Sequence, residues 1–123
     1  MAQTRFSGPV ASDNGFIGTV TGNVTGDVIA TNQALSGAGA VNLTDMLTSL
    51  TSTGSAQALT LANGTLGQLK IISHVVDGGS AVLTPTTKIG FTTITFTGVG
   101  ESAMLVYTAA GWAIVALNGA VAA

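Results

Sequence analysis

The chain has one histidine, His74, beside Ser73 and three positions before Asp77, and these are the residue types of a nucleophile, a base and its orienting acid. The spacing defeats that reading. Neighbouring strand residues point to opposite faces, so the Ser73 hydroxyl cannot meet the His74 ring. His74 shares its face with Ile72 and Val76 and reads as a packed or interface histidine. The five carboxylates, Asp13, Asp27, Asp45, Asp77 and Glu101, show neither the spacing of a calcium loop nor a close acid/base pair. With no cysteine, thiolate nucleophiles and thiolate metal sites are excluded. The expectation is a non-enzymatic chain without metal or cofactor.

Tyr107 and Trp112 flank a turn and could stack on a sugar, although a cross-strand aromatic pair is the commoner use of this spacing. The Asn-x-Thr triplets at Asn23, Asn42 and Asn63 read as chance matches in a Thr-rich chain. The glycines near the N-terminus lack the Gly-Lys-Thr ending of a phosphate loop.

Those glycines belong to a repeat. In Gly18-Thr19-Val20-Thr21-Gly22-Asn23-Val24-Thr25-Gly26-Asp27-Val28, a four-residue unit returns each residue type to one strand face. Gly18, Val20, Gly22, Val24, Gly26 and Val28 line one side. Such a face is too thin to form a core alone, and glycine within a strand is costly unless another backbone approaches closely. The segment therefore reads as an extended arm that orders by association. Val20, Val24 and Val28, with Gly22 and Gly26, are the expected contacts between copies of the chain. Arg5, Phe6, Phe16 and Ile17 are the expected anchors on a partner surface.

Composition points the same way. Only 7% of the 123 residues are charged, against about a quarter in ordinary soluble domains, so much of the surface should be covered in an assembly. Three basic residues, Arg5, Lys70 and Lys88, and a net charge of -2 leave no footprint for nucleic acid. The opening residues lack the apolar run of a secretory leader. The uncharged tail from Ser102 to Ala123 is long enough to raise a membrane helix. Thr108, Gly111, Asn118 and Gly119 inside it favour a hairpin instead, with Ala103 to Tyr107 and Trp112 to Leu117 as its strands.

From Val41 onward β-branched residues and Thr dominate, with turn residues about every ten positions. Val41 to Thr44 and Met46 to Leu50 suit strands better than one short helix. Ala58 to Leu61 precedes Asn63-Gly64, a hairpin-turn pair. Gly67 to Val76 has apolar residues on both faces and reads as a central strand closed by Asp77-Gly78-Gly79. Ala81 to Thr84 stops at Pro85. Phe91 to Phe96 alternates, with Thr92, Ile94 and Phe96 on one side. The expected fold is all-β: an extended N-terminal arm over 1–36, a hinge at Ser36 to Ala40, and a compact antiparallel sandwich or jelly-roll-like barrel over 37–123.

The run GQLKIISHVVDGGSAVLTPTTKIGFTTITFTGVGESAMLVYTAAGWAIVAL (Gly67 to Leu117), with LTLANGT before it, resembles small virion structural proteins of tailed bacteriophages, notably marine and cyanobacterial ones. The GTVTGNVTGDV repeat resembles segments that precede such domains and those in phage fibres. The resemblance implies a capsid decoration, or cement, protein of trimeric build. Its partners would be its own copies and the major capsid protein, and its place the capsid surface after synthesis in the host cytoplasm. It also implies an alternative, a tail or head fibre or a glycan-holding receptor-binding module.

Overall fold

A computed structural model describes Ser7, Gly8, Asp13 and residues 21–123. Ten strands form: β1 (Asn32–Ser36), β2 (Gly39–Val41), β3 (Leu47–Thr51), β4 (Gln57–Leu61), β5 (Leu69–Val76), β6 (Ala81–Pro85), β7 (Ile94–Phe96), β8 (Ser102–Thr108), β9 (Gly111–Asn118) and β10 (Val121–Ala122). Among the described residues there is no helix. The strands make two five-stranded sheets, ordered β1-β3-β5-β8-β9 and β10-β7-β6-β4-β2. The architecture is all-β and sandwich-like, as the strand vocabulary predicts.

The pairing differs from an antiparallel sandwich. From β1 to β6 the chain changes sheet at every strand, and successive strands within each sheet pair in parallel: β1 with β3, β3 with β5, β2 with β4, β4 with β6. Three coils thus stack on one another, each giving one strand to each sheet. Antiparallel pairs appear only beyond them, where β8 and β9 extend one sheet and β7 and β10 the other. Both sheets are mixed and neither closes into a barrel.

Stacking in register makes inward ladders. Leu35, Leu50 and His74 stand over one another, as do Gln33, Thr48 and Ile72. In the facing sheet Leu59 and Leu83 align with Ile94, and Val41 and Leu61 with Pro85. The buried cluster joins both inner faces through Leu50, Ile72, Leu105 and Trp112 on one side and Leu59, Leu83, Ile94 and Phe96 on the other. The expected central strand is the middle one, β5, whose residues alternate between half-buried and buried over most of its length.

Several local expectations are corrected. Residues 32–36, assigned to the arm, form β1 and pair with β3, so the first coil begins before the expected hinge. Ser36 to Ala40 is no hinge but the passage from β1 to β2, turned at Gly37, whose φ of +76° favours glycine. Asn63-Gly64 makes no hairpin, because β4 and β5 lie in different sheets. The tail is a hairpin, as expected: Tyr107 pairs with Trp112 and Thr108 with Gly111. Among the described residues no helix is long and apolar enough to cross a membrane.

Candidate functional site: a buried polar network and an apolar entry cleft

Four polar side chains lie wholly inside the fold: Thr48, Ser52, Lys70 and His74. Lys70 is there by strand parity. It alternates with Ile71 and shares the inner face of β5 with Ile72 and His74. Its Nζ reaches the connection between β2 and β3, donating to the Asp45 backbone carbonyl at 2.7 Å and to Asn42 Oδ1 at 3.4 Å.

That connection is a side-chain-stabilised turn. Asn42 Oδ1 accepts the Asp45 N–H at 3.1 Å, and Asn42 Nδ2 donates to Asp45 Oδ2 at 2.7 Å. Gln33 Oε1 accepts both the Asn42 N–H and the Thr48 hydroxyl at 2.9 Å, while its Nε2 donates to the Ala40 carbonyl. The network therefore ties the first coil (Gln33, Asn42) to the second (Asp45, Thr48) and the third (Lys70). Burial pushes the Lys70 amine down to about 8, against the opposing pull of the Asp45 charge.

His74 meets a serine, though not its neighbour Ser73. Ser52 Oγ lies 2.9 Å from His74 Nε2 and also accepts the Gly78 N–H at 2.9 Å. A Cβ at Gly78 would collide with the Ser52 carbonyl, so only glycine brings the β5–β6 connection close enough for that bond. His74 packs edge-on to Phe96 with centroids 6.4 Å apart. No acid bonds its Nδ1, which lacks a partner among the described residues. Of the two readings the sequence allows for this histidine, packed or interface, its full burial within the chain is the packed one.

Trp112 is also fully buried; its Nε1 donates to the Ala62 carbonyl at 2.8 Å, and its ring meets Tyr107 edge-on at 5.2 Å. This is the cross-strand aromatic pair, and the Trp112 ring is closed to any sugar. The carboxylates are scattered, and among the described residues no three His, Cys, Asp or Glu side chains converge as metal ligands would.

Of the expected contact residues, Arg5, Phe6, Phe16, Ile17 and Val20 lie outside the described residues. Gly22, Val24, Gly26 and Val28 are exposed, and residues 21–31 form no strand. Gly22 and Gly26 have φ of +111° and +115°, values outside the strand region. The chain bends at each, so the predicted continuous Gly/Val face is interrupted there.

Where this lead enters β1, Val28 and Ile29 border a cleft of about 500 Å³ completed by Leu43, Met46 and Leu69. A second cleft, of about 520 Å³, adjoins it across Leu43 and Gln68 and carries Leu66. Val28 and Ile29 are 79% and 87% exposed, and Leu66 is 73% exposed. Ile29 and Leu66 escaped the sequence reading because singly placed apolar residues in turns carry no periodic signal; Met46, expected to open a strand with Leu47 to Leu50, lies in the bend just before β3. Ser52 and Lys70 escaped it because their partners lie 22 or more positions away.

The chain matches no protein-family model, and no curated protein is significantly similar to it.

Proposed function

We propose that this chain is a virion structural protein of the decoration type, which docks its apolar lead and the adjoining cleft onto the major capsid protein and associates with its own copies as a trimer. The observation that carries this reading is the exposed apolar lead: Val24 is exposed, and Val28 and Ile29 stand open on a cleft edged by Met46. A domain with so few charges needs such surface covered, and burial across subunit borders would make shell expansion break many contacts together. The resemblance to phage virion proteins supplies the kind of partner. The glycan-holding alternative loses the Trp112 ring, which is buried.

The test removes residues 1–31, which leaves β1 intact, and compares binding to expanded empty shells built from the major capsid protein. Binding should fall at least tenfold, and native mass should drop from trimer toward monomer. Unchanged affinity would overturn the role of the lead. Reconstructed density confined to the tail tip would overturn decoration in favour of a fibre.

A further inference from the structure

We infer that Lys70 and Asn42 are set to join in an intramolecular isopeptide bond, with Asp45 as the assisting acid/base. Three features of the site carry this. The Lys70 amine is fully buried and its Nζ sits 3.4 Å from the Asn42 side-chain carbonyl oxygen. That oxygen also accepts the Asp45 backbone N–H at 3.1 Å, a donor placed where negative charge would build as the carbonyl is attacked. The group that must leave, Asn42 Nδ2, is held by Asp45 Oδ2 at 2.7 Å.

The reaction balances without any added reagent. The neutral amine moves from Oδ1 onto Asn42 Cγ, forming the C–N bond; the proton shed by Nζ ends on Nδ2, with the Asp45 carboxylate that holds Nδ2 as its carrier; the Cγ–Nδ2 bond breaks and ammonia departs. The product is a secondary amide between Lys70 and Asn42. Burial also keeps the amine's affinity for protons low, so a usable fraction is unprotonated near neutrality. An amine, a primary amide and a carboxylate together are what transamidation needs.

The experiment is the intact mass of the full-length chain, measured fresh and after prolonged incubation at mildly alkaline pH. The bond predicts a mass about 17 Da below that of the sequence, the loss of one ammonia. Trypsin acting on the denatured chain, whose basic sites are Arg5, Lys70 and Lys88, should leave residues 6–88 as one fragment. Tandem spectra of that fragment should join Lys70 to Asn42. Lys70→Arg and Asn42→Ala, each checked for folding by circular dichroism, should carry their full sequence mass. The proposal is overturned if the wild-type mass stays at the sequence value, or if trypsin cuts the wild type after Lys70, since ammonia loss at Asn14-Gly15, Asn63-Gly64 or Asn118-Gly119 leaves that site open. It is overturned equally if either variant still yields residues 6–88 as one fragment.

Discussion

His74 is fully buried and held by a single hydroxyl, and this makes Ser52 the more consequential residue of the pair. Ser52→Ala strands two groups at once, His74 Nε2 and the Gly78 N–H. Leaving buried polar groups unpaired costs about 1–3 kcal/mol, which a urea midpoint will register with unchanged slope. Lys70 has a different signature. An amine whose folded pKa lies near 8, below its ordinary 10.5, binds fewer protons folded than unfolded across that interval. Its contribution to stability therefore improves as pH climbs from about 8 toward the unfolded value. Asn42→Ala keeps the Asp45 carbonyl on Nζ and removes the amide carbon, so its unfolding midpoint should rise between neutral and alkaline pH. Adding Lys70→Met should flatten that rise.

Elements differ in how openly their sequence declares them. The β8–β9 hairpin is local: its strands adjoin, its turn is short, and Tyr107 and Trp112 face each other across it. Pro85 at the end of β6 and the middle position of β5 are legible for similar reasons, a missing donor in one case and apolar residues on both faces in the other. The parallel coils are not legible this way. Leu50 stacks on His74, 24 positions later, and Leu35 on Leu50, only 15 later. Unequal coils give no repeat to find, and an inward-outward alternation looks the same in a hairpin and in a coil. Asn63-Gly64 illustrates the trap. Gly64 is required because a Cβ there would meet the Trp112 ring at 2.9 Å, not because a tight hairpin bends at it. Lys70 was hidden because a charge within a strand is ordinarily read as solvent-facing, although its parity with Ile72 and His74 marks it as inward. Trp112 anchors this part of the fold, so Trp112→Ala should cost about 3–5 kcal/mol by chemical denaturation. As the sole tryptophan, its native emission should be blue-shifted and shielded from acrylamide.

At the scale of the molecule, the apolar lead and the cleft beside it form one surface, and charge placed there should act on association rather than on folding. Val28→Asp with Ile29→Asp should leave the thermal midpoint within about 1 kcal/mol equivalent, since both side chains are exposed. If the proposed trimer forms through the lead, the same pair should abolish it by sedimentation. Retained association would move the contact elsewhere on the surface.

The outermost coil strand, β1, has a neighbour on one side only. Tension entering through the N-terminal lead would meet that strand first and load its hydrogen bonds a few at a time, as a zipper is drawn, instead of shearing the whole ladder at once. A covalent tie from position 42 to position 70 would halt such a tear within the first coil. In an optical trap, wild-type molecules pulled from their two ends should then release a shorter length of chain than Lys70→Arg molecules do, by the contour between those two residues.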